Sequence, residues 1–145
     1  TDGERFRHAV AEAVAVAREG YIATIGITPT EPSVGFGYIL CGEPLAIEGA
    51  THAHLVQNFV EKPDLETATT YLASGDYLWN GGMFIARAEQ LLAQLAETQP
   101  MLHEGLLEIA AAWDTSKRDI VVDAVWPLLP KLAIDYSVAE PAAAA

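Results

Sequence analysis

Leu55-Val56-Gln57-Asn58-Phe59-Val60 passes directly into Glu61-Lys62-Pro63-Asp64. The first six residues have the apolar, β-prone character of a strand, and Pro63 closes it because proline has no N–H to give a ladder. Asp64 is then a good helix N-cap, and the pattern predicts a helix through about Ala73, with Thr67 to Tyr71 inside it. A strand that hands over to a helix at a proline-closed corner is the repeating unit of an α/β protein.

The same alternation extends in both directions. Upstream, Asp2 to Glu19 reads as a helix with Phe6, Val10, Val14 and several alanines on one face, stopped by Gly20. Tyr21 to Ile27, bounded by Gly20 and Pro29, reads as a buried strand. A loop with Pro29, Pro32 and Ser33 follows, then an extended stretch from Gly37 to Cys41 and an acidic turn region. Downstream, Ser74 to Gly82 reads as loop and Met83 to Arg87 as a short strand. Helices are expected over Glu89 to Glu97, Met101 to Trp113 and Lys117 to Val125, before Pro127 and Pro130 break the pattern ahead of Ile134 to Ala145. Strands alternating with helices predict an α/β class with a mixed or parallel sheet, and no internal repeat is visible. The chain opens on a helix and finishes in Ala142-Ala143-Ala144-Ala145, and both ends read as cuts through a larger fold.

Composition narrows the function classes. Of 145 residues, 51% are apolar and 19% charged, which describes a globular chain with enough apolar material for one core. No run approaches the ~20 apolar residues that a membrane span needs, and the N-terminus has no signal-peptide pattern. Twenty acidic against eight basic residues leave a net charge of −12, which disfavours nucleic-acid polymers and anionic membranes. Each lysine or arginine near a phosphate-binding site therefore carries unusual weight. Cys41 is the only cysteine, so an intramolecular disulfide is impossible and a reducing cytoplasm fits best.

Several short motifs could carry chemistry. Glu61 and Lys62 lie at the carboxyl end of a strand, where open α/β sheets bind ligands. A carboxylate there can accept paired hydrogen bonds from vicinal sugar hydroxyls, and a lysine can neutralise a phosphate. They also read as an exposed pair at a strand end. Asn80, in Trp79-Asn80-Gly81-Gly82-Met83-Phe84, could fix a sugar hydroxyl through its donor and acceptor, or belong to a plain Asn-Gly turn. Asp135, in Ile134-Asp135-Tyr136-Ser137, could be a hard oxygen ligand for Mg²⁺ or simply a helix N-cap. Gly35-Phe36-Gly37 is too short for a phosphate loop and reads as a strand start with close backbone packing. His52 and His54 share a strand face with no third metal ligand nearby, and read as a solvated edge. His8 and His103 read as surface residues, and no Ser/His/Asp or Cys/His arrangement is supported.

The order and spacing of these motifs are more specific than any one of them. Thr28-Pro29-Thr30-Glu31-Pro32 with Gly35-Phe36-Gly37-Tyr38-Ile39, then Phe59 to Pro63, then Tyr77 to Phe84, then Ile134 to Val138 with Glu140, resemble the mannose-1-phosphate guanylyltransferases. The resemblance covers essentially the whole chain. It implies a partial Rossmann-like, glycosyltransferase-A-like nucleotidyltransferase domain with a mixed sheet, residues 1–145 forming its sugar-binding part and the N-terminal nucleotide-binding half being missing. It implies that Gly37 meets the sugar through its backbone, Glu61 binds sugar hydroxyls, Lys62 lies beside the sugar phosphate, Asn80 faces the sugar and Asp135 is one of two aspartates for a catalytic Mg²⁺. The substrates implied are mannose 1-phosphate and GTP, which give GDP-mannose and pyrophosphate in the cytoplasm, and a homo-oligomer is compatible. The glycine-rich loop and the first metal aspartate of the family are absent from the chain, and Asp2 does not replace the latter. Ala133 stands where serine is usual, and Pro141 where many relatives carry lysine. A catalytically inactive module that senses nucleotide-sugars, or a nucleotidylyltransferase for another sugar or base, is the alternative reading.

Overall fold

The computed structural model describes residues 3–143. Thr1, Asp2, Ala144 and Ala145 lie outside the described residues, and with them the expected helix start at Asp2 and the end of the alanine run. The elements are α1 (Gly3–Arg18), β1 (Ala23–Ile27), β2 (Tyr38–Pro44), β3 (His54–Val60), α2 (Leu65–Ser74), β4 (Tyr77–Ile85), α3 (Ala88–Thr98), α4 (Pro100–Ala112) and α5 (Arg118–Val125). A 3₁₀ turn (Trp126–Leu128), a π-helical turn (Asp135–Ala139) and the short α6 (Glu140–Ala143) complete the chain.

The strands form one sheet in the order β1-β4-β2-β3. Among the described residues every neighbouring pair is antiparallel, where alternation with helices predicted parallel or mixed pairing. The reason lies in the crossover. β3 and β4 do run parallel and are joined through α2, but β2 sits between them and pairs with both. A helical crossover can skip one strand position, and the intervening strand then runs the other way.

β4 is longer than its sequence suggests. It begins at Tyr77 rather than Met83, so the Trp79-Asn80-Gly81-Gly82 stretch is strand interior rather than loop. β4 lies between β1 and β2, which satisfies its backbone on both sides. The glycines still matter. Between the Thr24–Phe84 and Gly26–Asn80 pairings the register slips, and Gly81 and Gly82 form a bulge. Gly82 has φ 67°, and a Cβ on Gly81 would lie 2.7 Å from the Ile25 carbonyl oxygen.

One sheet face carries Ile39 and Phe59, which pack with Ala139 of the π-helical turn and with Val56, Phe84 and Ala143. Burying Ile39 or Phe59 contributes about 1.5 to 3 kcal/mol each. On the other side, Tyr38, Tyr71 of α2 and Tyr77 form an aromatic column with centroids 5.5 and 3.8 Å apart. Asp64 caps α2 as expected, accepting from the Thr67 N–H at 2.8 Å, and Gly75 ends it in the left-handed conformation.

The buried stripe of α1 is Ala13, Val16 and Ala17, together with Glu12, whereas Phe6 is 44% exposed. Burying Glu12 without partners would be costly. Its carboxylate accepts from the His52 N–H (3.2 Å) and the Thr51 hydroxyl (3.3 Å) and contacts the His52 ring (3.0 Å). Burial pushes the Glu12 carboxyl up, but the hydrogen bonds and charge of His52, with Thr51, outweigh it and hold the group below its ordinary value.

Candidate functional site

The five residues singled out from the sequence converge in space. Tyr38 pairs with Val60, which sets Gly37, just before β2, beside Glu61, just after β3. The fit is close: a Cβ on Gly37 would lie 2.5 Å from Glu61 Oε2, 3.2 Å from the Phe59 ring and 3.4 Å from Asn80 Cβ. A side chain at position 37 therefore requires Glu61 to move. The Gly37 carbonyl accepts from the Asn80 N–H at 2.7 Å, which joins the start of β2 to the middle of β4.

Asn80 is 9% exposed and connects the site. Its Oδ1 accepts from the Thr24 hydroxyl at 2.7 Å and from the Gly82 N–H at 3.1 Å. Its Nδ2 donates to Asp135 Oδ1 at 3.0 Å. This settles the orientation of the amide, since only the nitrogen can donate to a carboxylate. Asp135 is the first residue of the π-helical turn, and Ile134 precedes it without a side-chain capping bond. The capping alternative for Asp135 is therefore replaced by a tertiary hydrogen bond. The turn itself is anchored by the Thr98 hydroxyl, which donates to the Ser137 carbonyl at 2.7 Å.

Glu61 and Lys62 differ in exposure. The Glu61 side chain is 6% exposed and that of Lys62 55%, yet they form a 2.7 Å ion pair. The Glu61 N–H donates to Glu140 Oε1 at 3.1 Å, so the C-terminal segment also holds this corner. Lys62 has φ 47°, the one positive value for a non-glycine among the described residues. Left-handed backbone in a lysine is strained and is found where neighbours over-determine the chain. Here buried Pro63 and the Glu61 anchor do so. The Lys62 ammonium is held above its ordinary value by its hydrogen bond to Glu61 and the charge of Glu61, with smaller contributions from Tyr136 and Asp135. It is thus a half-exposed cation with acceptors on one side and solvent on the other. Beside this cluster, Phe36 packs on Trp79 with centroids 4.9 Å apart, and the buried Trp79 indole N–H has no partner among the described residues.

Thr24 and the Glu140–Glu61 contact were not legible in the sequence, because they join residues 56 and 79 positions apart. The histidines also fall differently from expectation. His52 precedes β3 and shares no strand face with His54, whose ring approaches the Gly42 carbonyl at 3.0 Å. His52 instead meets Glu12 and His8 of α1, three potential metal ligands with donor atoms within 4.8 Å of one another. His54 is not part of this group; the two residues that join His52 both come from α1, with Glu12 40 positions upstream. Cys41 lies in β2, with its thiol pushed up by burial.

Residues 2–126 match the family described as nucleotidyl transferase, which is most of the chain. This chain belongs to the nucleotidyl transferase family. Among curated relatives, it is 42% identical over 144 residues to the xanthan biosynthesis protein XanB of Xanthomonas campestris pv. campestris. It is 41% identical over 140 residues to the mannose-1-phosphate guanylyltransferase of Escherichia coli K12. Each alignment covers 96% of this chain but 29% of the relative's own length. A solved structure titled mannose-1-phosphate geranyltransferase from Thermus thermophilus superposes with a TM-score of 0.79 at 32% identity, over 96% of this chain and 38% of that one. One titled mannose-6-phosphate isomerase from Helicobacter pylori superposes at 0.71 and 22% identity, over 94% of this chain and 52% of that one, and shows the shared fold. The nucleotidyl transferase assignment accounts for the antiparallel α/β arrangement as part of such a domain. Among the described residues, no helix is long and apolar enough to cross a membrane.

Proposed function

We propose that residues 1–145 form the sugar-phosphate-binding part of a mannose-1-phosphate guanylyltransferase, transferring GMP from GTP to mannose 1-phosphate. The observation that carries this reading is the convergence of Gly37, Glu61, Lys62, Asn80 and Asp135 at one corner of the sheet. Glu61 accepts from sugar hydroxyls, and the absence of a side chain at Gly37 lets the ring approach the backbone. Lys62 neutralises the sugar phosphate, and Asn80 orients both the sugar and Asp135. In the reaction a phosphate oxygen of mannose 1-phosphate attacks the α-phosphorus of GTP. The bond from that phosphorus to the β-bridging oxygen breaks, and pyrophosphate leaves. Proton transfer contributes little, so positioning and charge neutralisation supply the catalysis. The reading further places the protein in the cytoplasm, acting on small molecules and allowing a homo-oligomer.

The donor set suits Mg²⁺ in a limited way. Asp135 offers a hard carboxylate, one of whose oxygens is oriented by the Asn80 amide. No other His, Cys, Asp or Glu among the described residues forms a three-ligand group with it. Mg²⁺ commonly rests on one or two carboxylates, substrate phosphates and waters, so a single aspartate fits. When bound, it would offset the charge of the two phosphates.

Mannose 1-phosphate binding, followed by ligand-observed NMR, tests the proposal. Glu61→Gln should weaken mannose 1-phosphate by about 10- to 100-fold, the range set by a hydrogen bond to a charged acceptor. Inorganic phosphate, held by Lys62, should change far less. No binding, or an equal loss for both ligands, overturns the reading.

A further inference from the structure

The geometry points to a transition-metal site formed by His8, Glu12 and His52, separate from the sugar-phosphate corner, that pins α1 to the loop leading into β3. His8 Nε2 lies 3.1 Å and His52 Nδ1 3.0 Å from the same oxygen, Glu12 Oε1. All three donor atoms lie within 4.8 Å of one another. Ligand atoms around a tetrahedral zinc, at bond lengths near 2.0 to 2.2 Å, are about 3.3 Å apart. The two contacts to Oε1 already approach that spacing, and modest rotation of the two rings closes the third.

Each component has a role in such a site. His8 and Glu12 are four apart on one helix, so their side chains share a face. Glu12 is 8% exposed, and both its oxygens have outer contacts that fix the carboxylate: the His52 N–H donates to Oε2 at 3.2 Å and the Thr51 hydroxyl to Oε1 at 3.3 Å, where a second lone pair is left for the metal. The rings stand nearly perpendicular, 79° apart, with centroids separated by 6.3 Å. The His8 and His52 side chains are 68% and 78% exposed, so further coordination positions face water in an open hollow of ≈ 370 Å³.

Two imidazoles and one carboxylate select zinc or its borderline neighbours over Mg²⁺, which prefers oxygen alone. Binding displaces any proton from the two ring nitrogens concerned, and the lone pairs then point to the metal. The site lies beyond the opposite end of β3 from Glu61, a strand that by itself spans roughly 20 Å at the usual rise. Its role is therefore structural, joining segments 40 positions apart in sequence.

Calorimetric titration of the metal-free 145-residue chain with ZnCl₂, paired with NMR of the histidine ring protons, tests this. The expected result is saturable one-to-one binding that Mg²⁺ does not displace, with the His8 and His52 resonances shifting. His8→Ala and His52→Ala, both exposed positions, should each weaken binding by at least about 10-fold, whereas His54→Ala should leave it unchanged. Absence of saturable binding at millimolar Zn²⁺, equal competition by Mg²⁺, or binding indifferent to both His8→Ala and His52→Ala overturns the proposal.

Discussion

Replacing Asn80 with aspartate changes one atom pair at the centre of the site and gives a calculable result. The substitution keeps the size of the side chain and the oxygen that accepts from Thr24 and Gly82, at 2.7 and 3.1 Å. It replaces the amide that donates to Asp135 at 3.0 Å with a second carboxylate oxygen. Two unit charges about 3 Å apart at an effective dielectric of ~20 repel by about 5.5 kcal/mol. Protonating an ordinary aspartate at pH 7 costs about 4 kcal/mol, the three-unit gap from its pKa near 3.9. The smaller cost wins, so protonation caps the deficit at about 4 kcal/mol. Asp135 is only half-buried, and screening by water lowers the deficit further, to about 2 to 4 kcal/mol at pH 7.

The sign of the pH dependence follows. In the folded variant the introduced carboxyl holds its proton above the pKa it has when unfolded, so the folded state binds more protons. Stability relative to the parent chain should then fall as pH rises above about 4, by up to ~1.4 kcal/mol per pH unit, and recover on acidification. Urea denaturation of both proteins between about pH 4.5 and 7.5, followed by circular dichroism, reads this directly. A deficit below about 1 kcal/mol at pH 7, or one that stays constant with pH, would show that the Asn80 amide does not donate to Asp135.

Two other substitutions separate conformation from charge. Lys62→Gly relieves the strain of φ 47° but leaves the buried Glu61 carboxylate without its 2.7 Å partner, so the melting temperature should fall, and phosphate affinity should fall by at least about 10-fold. An unchanged or raised melting temperature with phosphate binding intact would contradict both halves of that statement. Asp64→Ala should lower the melting temperature by about 2 to 4 °C through loss of the α2 cap. The backbone and side-chain hydrogen bonds of Thr67 hold the Asp64 carboxyl below its ordinary value, so its contribution is present above the unfolded pKa and lost as pH falls through the folded one. Thermal scans of the parent and variant should therefore converge in acid, and a difference that persists there would remove the charged cap as its cause.

What the sequence determined by itself was local. The β3–α2 junction was legible because Pro63 and Asp64 impose their geometry on neighbouring residues whatever surrounds them. The helices from Ala88 to Val125 were legible from their apolar spacing and their proline and glycine limits, within a residue or two. The site residues were legible as types, since Gly37, Glu61, Lys62, Asn80 and Asp135 stand in short motifs with a characteristic order.

Only the tertiary structure decided how those types combine. Asn-Gly-Gly reads as a turn in isolation, and became a strand bulge because β4 is inserted between β1 and β2 and its backbone is satisfied on both sides. Asp135 reads equally as a cap or a ligand, and the Asn80 amide, 55 positions earlier, chose between tertiary and local bonding. Glu12, a charge within the buried stripe of α1, gives no sign in the sequence of what compensates its burial; the partners are His8 on its own face and Thr51 and His52 on a distant loop. Patterning acts over one or two turns of chain. Charge compensation and strand order are set by which surfaces meet when the core closes, and that is a property of the whole fold.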